Sequence, residues 1–204
     1  MNKSAVFTVF LLPTIAFVAT MWILRSPHQP VKTSGAAITQ TNSPKVETEG
    51  SPQAFGLVGR ARVIDGDTIE IARERVRLWG IDAPESGQTC TDAVKQRYLC
   101  GSKAAFALAD FVGEATVRCE PLNRDQYRRM VARCFARGED LGVFLVRSGW
   151  ALDWPRFSKG QYAEYRKTAR NEKRGMWAGQ FIEPWKWRAC VKSGKRRDEC
   201  SISF

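Results

Sequence analysis

From Phe55 onward, apolar and polar residues alternate in short runs. Leu57 to Ile64 reads as a strand, Gly66-Asp67 as a turn, Thr68 to Ala72 as a second strand and Val76 to Ile81 as a third. Ala115 to Pro121 and Met130 to Ala136 read as the two strands of a hairpin. Between and after them the period lengthens to that of a helix. Ser102 to Val112 carries Ala105, Leu108, Ala109 and Val112 at helical spacing. Leu141 to Arg147 is a short helix ended by Ser148-Gly149, and Gln161 to Lys173 is a third, stopped by Gly175. Five short strands with about three helices predict an α+β domain built on a small five-stranded OB-fold barrel.

The first 54 residues follow other rules. Ala5 to Leu24 is a run of 20 residues without a charge, long enough to span a bilayer as a helix. Pro13 would kink it, which membrane helices tolerate. The competing reading is a cleaved signal peptide, but the run ends in Met-Trp-Ile-Leu-Arg with no small-residue cleavage site. Lys3 favours a cytoplasmic N-terminus, although Arg25 and Lys32 flank the other side. Residues 26–54 are rich in Ser, Thr, Pro, Gln and Gly and cannot build a core, as expected of a flexible linker. The chain thus divides into an anchor or signal segment (1–25), a linker (26–54), a folded domain (55–180) and a C-terminal extension (181–204). The extension holds Trp185, Trp187 and the basic run Lys192 to Arg197, bracketed by Cys190 and Cys200. It reads as a disulfide-tied tail covering the domain edge, or alternatively as a nucleic-acid-binding extension.

Charge and cysteines narrow the class. The net charge is +11, and all but +2 of it lies beyond residue 54. A basic surface draws in a polyanion and speeds the encounter; solubility, or attraction to anionic lipid beside the anchor, would need the same charge. The six cysteines, Cys90, Cys100, Cys119, Cys134, Cys190 and Cys200, all follow the apolar run. An even number in an exported domain points to disulfides, and six allow 15 connectivities. Locality favours Cys90–Cys100, Cys119–Cys134 and Cys190–Cys200. No pair has the close spacing of zinc ligands. The single histidine, His28, lies outside the folded part, which excludes imidazole-dependent hydrolysis there.

The densest chemistry lies between Asp65 and Glu85, where Asp65, Asp67, Asp82 and Glu85 surround Arg77 within 21 residues. Carboxylates brought together raise each other's pKa unless a cation sits between them. A hard divalent cation takes such oxygen ligands, and an arginine beside them can hold a phosphate with two parallel hydrogen bonds. Asp65 has a simpler reading as the turn former of an Asp-Gly hairpin. Pro84 fixes the backbone before Glu85 and biases Ala83 toward an extended shape, which can aim the Glu85 side chain.

The stretch from Ile64 to Glu85 resembles the start of the staphylococcal-nuclease (thermonuclease) family. Asp125-Gln126-Tyr127-Arg128-Arg129, Leu145-Val146-Arg147-Ser148-Gly149-Trp150-Ala151 and Arg174-Gly175-Met176-Trp177 fit the same pattern in order. The similarity runs from about Val58 to Trp177. It implies an OB barrel with three helices and a Ca²⁺ ion held by Asp67, Asp82 and the backbone carbonyl of Ala83. It also implies Glu85 as the general base, and Arg77 and Arg129 as stabilisers of the pentacoordinate phosphorus. Its implied activity is hydrolysis of DNA and RNA, single strands preferred, with the P–O5′ bond breaking to leave 3′-phosphates. The alternative is a non-catalytic nucleic-acid-binding module of the same fold. We expect a monomer.

The departures are local. Ala83 stands where better-known members carry threonine, which keeps a carbonyl ligand but no hydroxyl. Arg128 replaces a turn glycine and leaves two adjacent arginines, of which register selects Arg129. Gln126 replaces a lysine. Tyr127 remains to bind a phosphate or stack on a base, and Trp154 and Phe157 stand where the family uses tyrosines to hold the nucleotide. These aromatics read equally well as core.

An anchored chain should remain in the membrane fraction through residues 5–24, with its cysteine-bearing domain outside the cytoplasm. N-terminal sequencing of the mature protein checks this: an intact N-terminus is expected, and a start after Ala19 would mean a cleaved signal and a freely diffusing protein.

Overall fold

The computed structural model describes residues 56–201, so the apolar run and the linker both lie outside the described residues. In chain order the elements are β1 (Val58–Asp65), β2 (Thr68–Ile71), β3 (Glu74–Leu78), β4 (Ile81–Asp82), β5 (Thr89–Thr91), β6 (Arg97–Leu99) and α1 (Cys100–Val112). Then come β7 (Thr116–Arg124), β8 (Met130–Ala136), β9 (Glu139–Asp140), α2 (Leu141–Arg147), β10 (Leu152–Asp153), α3 (Pro155–Ser158) and α4 (Ala163–Asn171). A 3₁₀ turn (Gly175–Ala178) leads to α5 (Pro184–Lys192).

Five strands close on themselves. The main sheet runs β3-β2-β1-β7-β8-β9, and β3 also pairs with β8 in parallel, which seals a five-stranded barrel. This is the OB-type α+β architecture that the strand pattern predicts. Alternation along the strands turns Ile69, Ile71, Val76, Leu78, Val117 and Ala132 inward. Ala104, Leu108 and Val112 of α1, with Leu141, Leu145 and Val146 of α2, complete the core. Burying each large aliphatic side chain contributes about 1.5–3 kcal/mol. Asp140 caps α2, its Oδ1 accepting from the N–H groups of Gly142 at 2.7 Å and Val143 at 3.1 Å.

The structure departs from the expected elements where local geometry intervenes. The third strand stops at Leu78 rather than Ile81, because Gly80 turns the chain at φ +75°. Pairing resumes in a separate two-stranded sheet, with Leu152 opposite Asp82 and Asp153 opposite Ile81. That break carries Asp82 off the barrel wall. In α1 the buried row is Ala104, Leu108 and Val112, four residues apart. Ala109 lies exposed and Ala105 half-buried, one position round the helix. The third expected helix, α4, ends at Asn171, before Gly175. The β5–β6 hairpin, α3 and α5 are additional elements.

Three disulfides form, Cys90–Cys100, Cys119–Cys134 and Cys190–Cys200, and no described cysteine is free. Cys119 and Cys134 are ladder partners of β7 and β8, with Cα atoms 4.0 Å apart. Among the described residues no helix is long and apolar enough to cross a membrane.

Replacing Cys119 and Cys134 together by Ala should lower stability by about 3 kcal/mol, the chain-entropy value for a loop of this length. Urea unfolding measures it; a double variant as stable as the parent would contradict a stabilising bridge.

Candidate functional site

The site begins with two carboxylates almost out of reach of water. Asp67 sits in the β1–β2 turn and is 3% exposed; Asp82 ends β4 and is fully buried. Arg77 of β3 joins them, its Nη1 donating to Asp67 Oδ1 at 2.5 Å and its Nη2 to Asp82 Oδ1 at 2.7 Å. The ladder explains the contact with Asp67, because Arg77 is paired with Thr68, the next residue along. The Ala83 N–H donates to Asp67 Oδ2 at 2.8 Å. Asp65 does what an Asp-Gly turn asks, its Oδ1 accepting from the Asp67 N–H at 3.1 Å.

Electrostatics in this cluster are tightly balanced. The Asp67 carboxyl is pushed up to about 8: burial raises it most, Arg77 draws it down, Asp65 and Asp82 raise it, and the Ala83 N–H draws it down. Burial works against charge on Arg77, but Asp67 and Asp82 outweigh it and raise the guanidinium above its ordinary value. Removing one partner of such a buried pair typically costs about 3–5 kcal/mol.

Glu85 lies on the loop after Pro84, with its Oε1 beside the same cluster. The loop is packed against the first turn of α1 at Gly101, where a Cβ would lie 1.9 Å from the Glu85 carbonyl oxygen. Arg188 of α5 bridges the two acids. Its Nη1 donates to Asp82 Oδ1 and Glu85 Oε1, both at 2.9 Å, and its Nη2 to Asp82 Oδ2 at 2.8 Å. Burial opposes charge on Arg188, while Asp82 and then Glu85 raise it above its ordinary value. Sequence reasoning did not find Arg188. The contact with Asp82 spans 106 residues, and the only local sign was an aromatic, disulfide-bracketed extension.

Arg129 is not in contact with these carboxylates. It sits at the end of the β7–β8 turn, where its Nε donates to Asp125 Oδ2 at 2.7 Å and its N–H to Asp125 Oδ1 at 2.9 Å. Met130 and Val131, which follow it, lie beside Val76 and Arg77 in the parallel ladder. Tyr127 is 64% exposed, with the Arg129 guanidinium 5.5 Å from its ring centre. Burial of Asp125 is slight, and its hydrogen bonds from Arg129 hold the carboxyl below its usual range. Arg128 takes the left-handed conformation at φ +64° that a glycine adopts freely, so the turn survives the substitution under strain.

The two other aromatic candidates form a cluster. Trp154 meets Phe157 edge to face at 4.5 Å and stacks on Trp185 of α5 at 6.0 Å. The Arg188 guanidinium lies 5.4 Å from the Trp154 ring centre. Trp154 is half-buried and Phe157 exposed, so both border the surface rather than forming the core.

The donor set suits a hard divalent cation: carboxylates of Asp67 and Asp82 and the neighbouring Ala83 carbonyl are all oxygen, and there is no histidine among the described residues. Among the described residues no group of three or more His, Cys, Asp or Glu converges as a ready cage. Guanidinium groups currently satisfy the acids.

Residues 75–179 match the family model described as staphylococcal nuclease homologue. A succinoglycan biosynthesis protein, ExoI, of Rhizobium meliloti is 41% identical over 162 residues, covering 76% of this chain and 84% of that one. A micrococcal nuclease of Shigella flexneri is 32% identical over 149 residues, covering 65% and 80% respectively. An uncharacterized endonuclease of Escherichia coli O157:H7 is 34% identical over 134 residues, covering 62% and 81%. The chain belongs to the staphylococcal nuclease family. Arg77, Asp82, Glu85 and Arg129 fall inside the matched segment, whereas Asp67 precedes it and Arg188 lies beyond it.

Arg128→Gly should relieve the left-handed strain and raise stability by about 1 kcal/mol. Thermal or urea unfolding checks this; a destabilised glycine variant would show that the Arg128 side chain, not its backbone, holds the turn.

Proposed function

We propose that this protein is a calcium-dependent nuclease that hydrolyses phosphodiester bonds of DNA and RNA with little sequence preference, favouring single strands. The observation that carries the reading is one arginine held between two buried carboxylates, with Glu85 one guanidinium away. A family that includes nucleases supports it, as does the basic surface, which would draw in the polyanion.

Asp67, Asp82 and the Ala83 carbonyl would hold Ca²⁺, which when bound would neutralise charge on the scissile phosphate. Glu85 would accept the proton of the attacking water as its oxygen bonds to phosphorus. Arg77 would turn a guanidinium edge to the phosphate and stabilise the added charge of the pentacoordinate state. Arg129 would leave Asp125 for the same phosphate, a move its turn position permits. The P–O5′ bond would then break and the leaving oxygen would take a proton from solvent, giving a 3′-phosphate and a 5′-hydroxyl. Tyr127, Trp154 and Phe157 offer faces on which unpaired bases can stack without a sequence code. A domain carried outside the cytoplasm by the N-terminal segment is the setting in which its disulfides persist.

The test incubates the full-length protein with single-stranded DNA and with RNA, in Ca²⁺ or in chelator. Cleavage to 3′-phosphate ends is expected with Ca²⁺ and none with chelator. Glu85→Gln and Arg129→Ala should each lower turnover about 10²-fold or more while the fold is retained. Binding without cleavage by the wild-type protein would point to a non-catalytic module, and full activity in chelator would remove the metal.

A further inference from the structure

Arg188 comes from outside the segment that matches the family, yet it makes three hydrogen bonds inside the site. The extension is built to deliver it. Thr91 and Gln180 exchange two bonds, the Thr91 N–H donating to the Gln180 carbonyl at 2.9 Å and the Gln180 N–H to Thr91 Oγ1 at 3.0 Å. Gln88 Nε2 donates to the Ile182 carbonyl at 2.6 Å. Trp187 is buried and donates from Nε1 to Ser201 Oγ at 3.1 Å, and Cys190–Cys200 closes the loop beyond α5. With Trp185 stacked on Trp154, α5 is fixed along its length and its Arg188 side chain reaches Asp82 and Glu85.

An ionised carboxylate offers about four acceptor positions. Asp82 already accepts three bonds, one from Arg77 and two from Arg188. Two of them fill Oδ1 and the third takes half of Oδ2, so a cation that takes Oδ1, or both oxygens, as ligands must displace a guanidinium. Arg77 is the worse candidate: it stands on a strand of the closed barrel, its side chain is 16% exposed, and it alone offsets the charge of Asp67. Arg188 has a side chain 27% exposed on an outer helix, and it already rests against the face of Trp154, which can keep holding it. Charge agrees. Withdrawal of Arg188 takes one positive charge away from Asp82 and Glu85, which favours a cation in its place.

We infer that Arg188 and a divalent cation compete for Asp82 and Glu85. The C-terminal helix thereby sets the cation affinity of the site and holds Glu85 until the cation arrives. This rests on the proposed metal-dependent function. Arg188 is a positioning residue in this account, acting through the acids it holds.

Calorimetric titration of Ca²⁺ into the full-length protein and into Arg188→Met and Arg188→Gln tests it, with circular dichroism confirming the fold. Removing the competing charge should tighten Ca²⁺ binding about tenfold in both variants. The neutral, polar Gln variant carries the test if Met at this position fails to fold. Variants that bind Ca²⁺ as the wild type does, or more weakly, would overturn the competition and leave the metal reading standing. Binding by neither wild type nor variants would remove the metal from the proposed function and this inference with it.

Discussion

One guanidinium shared between two carboxylates that water barely reaches is the constraint on which the site depends. Asp67 and Asp82 come from different parts of the fold, a hairpin turn and a two-residue strand paired with β10. Burying two carboxylates this deeply is costly without a positive partner close by. Arg77 supplies it because β3 runs between them, paired with β2 on one side and β8 on the other. Barrel closure is thus a precondition of the charge arrangement. A strand slipped by one residue would turn Arg77 to the opposite face of the sheet.

The second layer of the site is the C-terminal segment. It adds a guanidinium, an indole stacked on Trp154 and a disulfide that ties the end of the helix. A small barrel has little core to spare for anchoring such an appendage. The segment instead uses hydrogen bonds from Thr91 and Gln88, one buried tryptophan and a covalent clip. The effect is to place a positive group over acids that the barrel alone would leave open on one side.

Much of this was legible in the sequence, for identifiable reasons. The five barrel strands showed because their apolar and polar residues fall in short alternating runs. The three disulfides showed because each joins cysteines close along the chain, and Asp67, Arg77 and Asp82 because a turn and a strand hold them within one short stretch. What was not legible depends on contacts distant in sequence. Arg188 lies about a hundred residues from its partners, and nothing in the alternation of α5 marks it out. The end of β3 at Leu78 turns on the left-handed Gly80, which a strand-like run of neighbours conceals. On α1, Leu108 and Val112 are buried as their spacing predicts, and only the alanines fall one position off, because alanine fits equally well on a buried and an exposed row. The register that selected Arg129 leads to a residue paired with Asp125, so its role depends on a side-chain movement that sequence cannot display.

The most direct test of the central claim, that the acids around Arg77 form the reaction centre, is the rate at which Asp82→Asn cleaves single-stranded DNA in Ca²⁺. Asparagine keeps the shape and removes the charge, and thermal unfolding establishes that the variant is folded. The account predicts a loss of about 10²-fold or more relative to wild type. A folded Asp82→Asn protein that cleaves at the wild-type rate would contradict it.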